Sequence, residues 1–172
     1  RFLSFIRTMK NKEKARLSLL DEFNENIYKK NKLSKGKETL ELIRRTKSHY
    51  NKIITFTEDI SLPNNYKNLL TIMQIGLPST DWIPALLYYF DKFEDTRITD
   101  FLQLLEYKVS SDWIIQLTPS QRIDNINSIL KKIEHYNNVN DLLNDDELFS
   151  VNSGDLLKML EGNVYGRRFA RY

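Results

Sequence analysis

The chain has 172 residues, of which 41% are hydrophobic and 28% charged, a composition typical of a folded domain and too apolar for a disordered chain. It contains no cysteine, which excludes disulfides, thiolate metal sites and a cysteine nucleophile. No apolar run approaches the roughly 18 to 20 residues that span a bilayer, so we expect a cytoplasmic protein without a membrane partner.

The net charge of +3 hides three segments of different sign. Residues 1–57 hold 15 Lys and Arg against 6 Asp and Glu, whereas residues 58–161 hold 8 against 17. Residues 162–172 add three arginines and no acid, so the three segments carry +9, −9 and +3. This segregation favours either ion pairing between the first two segments or separate partners, one of them a polyanion.

Helices dominate the apolar pattern, and the scarcity of Gly (5) and Pro (4) favours long ones. In the first third of the chain, the spacing predicts three helices and one loop: helices at 2–9, 17–28 and 37–54, and the loop at 31–36. The second helix would carry Leu17 and Leu20 on its apolar stripe, and the third would carry Leu40.

The remaining pattern predicts further helices at 63–76, 82–93, 97–117, 119–137 and 155–161, and a turn or short helix at 142–149. The segment at 82–93 is expected to be the central helix. Thr118, Pro119 and Gln121 have the spacing of a capping box, in which the Thr and Gln side chains satisfy each other's backbone N–H groups. The sequence therefore predicts an all-α, irregular multi-helix array of seven to nine helices. We expect one domain over 1–172, with 58–63 as the place where it would divide.

Both ends of the chain suggest a piece of a longer protein. The first residue is Arg1 rather than Met, and helical spacing begins at once. The last eight residues, 165–172, are rich in aromatic residues and arginine, and they are typical of the first turns of another helix. We therefore expect flanking domains as partners.

One set of residues resembles a catalytic site. Asp100, Glu106 and Lys108 match the acidic residue and E-x-K spacing of metal-dependent nucleases, where carboxylates hold a cation and Lys orients water. Such sites present these residues on strands, whereas here they lie on a predicted helix. We expect a solvated helix face, and a metal-dependent hydrolase is an alternative that needs the three side chains to converge.

Other chemical signals are weak. His49 and His135 are expected at the surface or at helix ends, and the acidic run at 145–147 lacks the alternating ligands of a calcium loop, so a capping and solvating role is favoured. Trp82 and Trp113 are expected to pack between helices. The five glycines stand singly, so there is no phosphate-cradling loop. The segment is predicted to be non-catalytic and to need no cofactor.

The basic residues are the stronger functional candidates. Clustered cations neutralise phosphates without a fixed order, so they can bind nucleic acid. The same cations could instead bind an acidic protein surface or solvate helix faces. Lys47 lies in the same part of the chain as Arg44 and Arg45. The candidates for nucleic-acid binding are Lys29, Lys30, Lys32, Lys35, Lys37, Arg44, Arg45, Arg167, Arg168 and Arg171.

The order of these features resembles the helical region of bacterial proteins related to the GmrSD modification-dependent restriction endonucleases. The matching pieces are 2–6 with its basic connector, Leu42, Tyr50, Ile53, 69–76, 82–87, 101–106, Arg122, Ile126 and the tail 165–172. The resemblance implies an amino-terminal ParB-like nucleotide-handling domain and a carboxyl-terminal His-Asn-His nuclease. The characteristic sequence motif of neither domain is present in this chain, so the resemblance assigns no catalytic residue.

Two functions follow from this reading. In the first, the chain is a non-catalytic linker or scaffold of a restriction-type DNA endonuclease in bacterial defence, with contacts to the DNA backbone. In the second, it is a helical protein-interaction module with no nucleic-acid role, whose acidic middle and apolar grooves bind a partner helix.

Overall fold

A computed structural model describes residues 1–58 and 61–162 of the chain. This part contains helices and turns and no strand. The helices are α1 Phe2–Asn11, α2 Leu19–Asp21, a π-helix at Glu22–Tyr28, α3 Lys37–Ile53, α4 Asn64–Gly76, α5 Ile83–Phe93, α6 Ile98–Ile114, α7 Pro119–His135, α8 Val139–Leu143, α9 Asp146–Phe149 and α10 Ser153–Glu161. Nine of these described α-helices have four or more residues, which confirms the predicted all-α class and helix number.

Helix α5 is the centre of the packing, as its sequence predicted. Its buried residues lie on every side of the helix, from Ile83 and Ala85 to Tyr89 and Phe90. It contacts α1, α3, α6 and α7. A helix that is apolar on every side is stable only where other helices cover each side, which accounts for the central position of α5.

The core is continuous across the segment at 58–63. Residues from both sides, such as Ile53 and Tyr66, belong to one cluster of buried side chains. The Tyr66 hydroxyl donates a hydrogen bond to the Ile53 carbonyl oxygen at 2.9 Å. Helices α3 and α4 therefore meet through a polar contact as well as apolar packing.

Helix α6 supports the carboxyl-terminal helices. It contacts α4 on one side and α8, α9 and α10 on others. Helix α10 has no buried residue, so it lies on the outside of the array. Within the described residues, no helix is both long enough and apolar enough to cross a membrane.

The prediction for the second helix was wrong in its periodicity. Residues 22–28 form a π-helix, with Lys29 N donating to Asn24 O at 3.0 Å. The π-helix buries Phe23 and Ile27, whereas Leu17 and Leu20, which precede it in the chain, are 49% and 71% exposed. A stripe drawn at 3.6 residues per turn does not apply where the backbone has i→i+5 bonds.

The predicted apolar stripe of α3 was also partly wrong. Leu40 is 56% exposed, and its place on the buried face is taken by Thr39 and Thr46. Thr39 is accommodated because its hydroxyl donates to the Ser34 carbonyl oxygen at 2.7 Å and lies 3.2 Å from the Tyr28 hydroxyl. Buried threonines with hydrogen-bond partners are not visible in a hydrophobicity pattern.

The predicted capping box is confirmed. Gln121 N donates to Thr118 Oγ1 at 3.3 Å, and Thr118 N donates to Gln121 Oε1 at 2.9 Å. Pro119 occupies the first turn, where its missing N–H has no helical partner. The box fixes the start of α7, which is one of the helices packed on α5.

Candidate functional site

The loop between the π-helix and α3 folds back onto the first turn of α3. Tyr28 and Thr39 bring their hydroxyl groups to 3.2 Å, and Ser34 N donates to Glu38 Oε2 at 3.0 Å. Leu33 of the loop is buried. These contacts hold the end of the loop against the first turn of α3, which begins at Lys37.

Two of the candidate lysines are held by neighbouring side chains. Lys29 Nζ lies 2.6 Å from a carboxylate oxygen of Glu25, one turn earlier. Lys32 Nζ donates to Asn11 Oδ1 at 2.9 Å, and its partial burial lowers its pKa. Lys32 therefore fastens the loop to α1. Lys29 is exposed, but its ammonium is held at 2.6 Å by Glu25, so neither lysine is placed in the candidate binding surface.

Arg45 belongs to a cleft between α3 and α5. Its Nε lies 2.7 Å from Asp91 Oδ1, and His49 Nδ1 lies 3.6 Å from the same oxygen. The His49 ring meets Phe90 edge-on, with centroids 5.0 Å apart, and only 17% of its side chain is exposed. The expectation of a surface or helix-end histidine holds only in part for His49, because packing of α3 on α5 partly buries its ring and lowers its pKa.

The remaining described candidates face solvent. Lys30, Lys35, Lys37 and Arg44 are exposed, as is Lys47. We call these five residues the basic face. Among the described residues, Lys30, Lys35, Arg44 and Lys47 form no ion pair with a carboxylate.

Two members of the basic face have weak partners. Lys35 Nζ lies 5.2 Å from the centroid of the Tyr28 ring, and Lys37 Nζ lies 3.7 Å from Glu41 Oε1. The Lys37 side chain is 92% exposed, and an exposed pair of this kind contributes roughly 0 to 1 kcal/mol. Neither contact prevents these cations from binding an anion.

The helix sets the spacing of the basic face. Lys37, Arg44 and Lys47 follow at intervals of seven and three residues, on the side of α3 away from its buried residues. At about 1.5 Å per residue, Lys37 and Lys47 stand roughly 15 Å apart along the axis. That length corresponds to about four nucleotides of one DNA strand at about 3.4 Å each.

Most of the positive charge of the first segment is not cancelled by the acidic middle. Of the Lys and Arg in residues 1–57, two pair with described carboxylates beyond residue 58: Lys12 with Glu134, and Arg45 with Asp91. Residues 29–52 hold nine Lys and Arg against two Glu. Ion pairing between the halves therefore explains little of the charge segregation.

The E-x-K residues do not form a site. Asp100 and Glu106 lie on α6, and at about 100° per residue their side chains leave the axis roughly 120° apart. Asp100 Oδ2 lies 2.7 Å from Arg97 Nε, and Lys108 Nζ lies 3.2 Å from Asp112 Oδ1. No group of three His, Asp or Glu in the described part could hold a metal ion. The convergence that a metal-dependent hydrolase requires is not found in these residues.

The acidic run at 145–147 caps a helix, as predicted. Asp145 Oδ1 accepts a hydrogen bond from Leu148 N at 3.2 Å, and Oδ2 lies 2.7 Å from Lys132 Nζ. Tyr136 OH donates to the same oxygen at 2.9 Å. These partners hold the pKa of Asp145 below its usual range, with the Lys132 hydrogen bond as the largest cause.

Three further predictions concern ring residues. Trp82 is 1% exposed and packs in the core, as expected. The guanidinium of Arg122 lies 3.7 Å from the centroid of the Trp113 ring, so that ring packs between helices too. His135 is exposed and is the last residue of α7, in agreement with a helix-end position.

Asn127 is one of several buried polar residues that the sequence analysis did not identify. Asn127 is 4% exposed and lines a cavity beside α7. The available signal was its position: it follows Ile123 and Ile126 at helical spacing, where the stripe continues to Leu130. A polar residue on an apolar stripe is expected to be buried, and a buried polar side chain needs a hydrogen-bond partner.

The tail candidates Arg167, Arg168 and Arg171 lie outside the described residues. Comparison of the chain with family models, with curated proteins and with solved structures gives no match. The resemblance to the GmrSD-related proteins accordingly stays a prediction.

Proposed function

We propose that this chain is a non-catalytic helical scaffold that binds the DNA backbone through its basic face. The observation that carries the proposal is the exposure of Lys30, Lys35, Arg44 and Lys47 without a described carboxylate partner. The proposal extends to a parent protein of the restriction-endonuclease type in the bacterial cytoplasm, where the scaffold would join the flanking domains.

The scaffold role depends on how firmly α3 is held. Leu42, Tyr50 and Ile53 anchor it in the core, and α3 contacts both α1 and α5. Cations on an anchored helix keep their spacing before DNA arrives. Binding then orders few side chains beyond the flexible ends of Lys and Arg, and less entropy is lost.

Charge reversal on the basic face tests the proposal. Fluorescence anisotropy with a short labelled duplex would compare the wild-type chain with the double variant Lys35→Glu/Arg44→Glu. The matched control is Lys131→Glu/Lys158→Glu, which changes the net charge equally at exposed positions of α7 and α10. If DNA binds at the basic face, Lys35→Glu/Arg44→Glu should weaken the affinity for the duplex strongly. The control should weaken it only slightly.

Two outcomes would contradict the proposed contact between the basic face and DNA. Equal weakening in both variants would mean that net charge alone drives association. Absence of binding by the wild-type chain at every salt concentration would mean that the basic face is only a solvated helix surface.

A second candidate function, a protein-interaction module, is favoured by a different surface. Helix α10 exposes Leu157 and Leu160 at 58% and 51%, and α6, which it contacts, exposes Tyr107 at 45%. Exposed apolar side chains on one helix are typical of helix-mediated binding. Pull-downs with and without nuclease treatment separate the candidates, because capture through Leu157 and Leu160 would persist after nuclease and be lost in Leu157→Ser/Leu160→Ser.

A further inference from the structure

An open groove of about 670 Å³ lies between the π-helix and the loop that follows it. Its size falls within the range of roughly 300 to 1,000 Å³ found for small-molecule sites. Tyr28 and Lys35 are among the residues that line it, and we call it the Tyr28 groove. Lys35 also belongs to the basic face, so the groove and the proposed DNA contact share a cation.

The Tyr28 ring is held in place by its neighbours. Its hydroxyl lies 3.2 Å from the Thr39 hydroxyl, and its ring packs against Phe23 with centroids 5.6 Å apart. Phe23 is buried, whereas Tyr28 is half-buried and keeps part of its surface in the groove. Because the ring is already fixed, a planar group can stack on it with little further loss of entropy.

The ammonium of Lys35 lies over the Tyr28 ring, 5.2 Å from its centroid. Lys35 is exposed, so this contact is on the solvent side of the ring. An exposed cation–π contact is weak, whereas stacking of a nucleic-acid base on an aromatic ring is stronger. A base can therefore replace the ammonium, which can then bind the phosphate of the same nucleotide.

The charges around the groove favour a phosphate. Residues 28–37 hold five lysines and no acidic residue. Glu25 also lines the groove, but its carboxylate is neutralised by Lys29 Nζ at 2.6 Å. Lys30 and Lys35 are exposed and form no ion pair with a described carboxylate. An aromatic ring beside unpaired cations is the arrangement that binds single-stranded nucleic acid.

We propose that the Tyr28 groove binds an unpaired base of the DNA that lies on the basic face. The base stacks on Tyr28, and Lys30 and Lys35 contact the adjoining phosphates. Bases inside a duplex are stacked on one another and cannot reach the ring, so the DNA bound best has a single-stranded end next to the duplex. This inference rests on the proposed function and names the class of DNA that the basic face prefers.

Fluorescence anisotropy with three labelled DNAs separates stacking from charge. The first is a blunt duplex, the second is the same duplex with a short single-stranded overhang, and the third has an abasic overhang of equal length. Both overhangs present the same phosphates, so a difference between them is due to the bases. The wild-type chain should bind the overhang with bases about fivefold or more tightly than the abasic overhang. Equal affinity for the two overhangs would overturn the inference.

Variants of the ring locate the stacked base. Tyr28→Leu should abolish the preference for the overhang with bases, whereas Tyr28→Phe should keep it, because the ring remains and only the hydroxyl contact with Thr39 is lost. Tyr107→Leu, the same change at an exposed tyrosine of α6, is the control and should keep the preference. An unchanged preference in Tyr28→Leu would contradict the assignment to this groove.

Photo-crosslinking provides a test that needs no variant, in case Tyr28→Leu does not fold. An overhang that carries iodouracil should crosslink to Tyr28 of the wild-type chain. Crosslinks confined to other residues would contradict the proposed position of the base.

The three DNAs also separate this inference from the proposed function. Failure of all three to bind would contradict both. Binding of the blunt duplex, with equal affinity for the two overhangs, would contradict only the inference. Binding of the overhang with bases but not of the blunt duplex would support the groove and contradict the contact between the basic face and duplex DNA.

Discussion

Lys12 Nζ lies 2.9 Å from Glu134 Oε1 and ties the end of α1 to the end of α7. The two partners are buried unequally, because the Lys12 side chain is 8% exposed and that of Glu134 is 59% exposed. The ammonium also lies 5.0 Å from the centroid of the Tyr88 ring. The cation is thus the desolvated member of the pair.

This asymmetry predicts unequal effects of removing either partner. Glu134→Gln leaves a nearly buried ammonium without its counter-charge and should lower the free energy of unfolding by about 1 to 3 kcal/mol. Lys12→Met keeps the packing, leaves Glu134 in water, and should cost less than about 1 kcal/mol. Urea denaturation at pH 7 measures both. Glu41→Gln, in the exposed pair with Lys37, is the control and should change little. A larger loss in Lys12→Met than in Glu134→Gln would refute the argument.

His49 predicts a pH dependence of stability near neutrality. Burial lowers its pKa from the ordinary value of about 6.5, and Asp91 opposes that effect while Arg45 and Lys52 add to it. The unfolded chain therefore binds the proton at a higher pH than the folded chain. Its contribution to stability is present above about pH 6.5 and is lost as the pH falls toward the folded pKa.

Thermal unfolding between pH 8 and pH 5 would show this dependence. Replacing the ring by Gln in His49→Gln should flatten the profile in that window relative to the wild-type chain. A profile that stays equally steep in His49→Gln would show that another group titrates there.

The capping box at the start of α7 predicts a local loss of stability. Thr118→Ala removes the acceptor for Gln121 N and should lower the free energy of unfolding by about 0.5 to 2 kcal/mol. Thr96→Ala, at an exposed turn position, is the matched change and should be close to neutral. Chemical denaturation of both variants measures the difference, and equal effects would mean that the cap does not stabilise α7.

Asn127 predicts a gain in stability on mutation. Asn127→Leu replaces an unsatisfied buried amide by an apolar side chain of similar size, and relief of the desolvation cost should raise the free energy of unfolding by about 1 to 3 kcal/mol. Urea denaturation tests this. Destabilisation of similar size would show that the amide has structural partners.

The sequence predicted local structure well where the signal was local. Thr118 and Gln121 interact three residues apart, so their pattern contains the whole interaction. The segment at 82–93 was likewise expected at the centre, and the structure shows buried residues on every side of α5. Leu20 and Leu40 were misplaced because a hydrophobicity pattern shows neither a π-helical turn nor a buried threonine whose hydroxyl is hydrogen-bonded, as that of Thr39 is.

The site could be predicted only in outline. The excess of cations in residues 29–52 was visible, but their individual contacts were not. Lys32 is held by Asn11, 21 residues earlier, and Arg45 is held by Asp91, 46 residues later. Pairing over such distances depends on the packing of α1, α3 and α5, which no spacing rule specifies. The structure therefore removed Lys29, Lys32 and Arg45, which have side-chain partners within 3 Å, from the described candidates.

The salt dependence of DNA affinity tests the central claim most directly. Each phosphate contact contributes about −0.9 to the slope of log K against log salt. Neutralising two contacts in Lys35→Gln/Arg44→Gln should therefore reduce the slope by about 2, whereas Lys131→Gln/Lys158→Gln should leave it near the wild-type value. Equal slopes in the two double variants, or no measurable binding by the wild-type chain, would contradict DNA contact through the basic face.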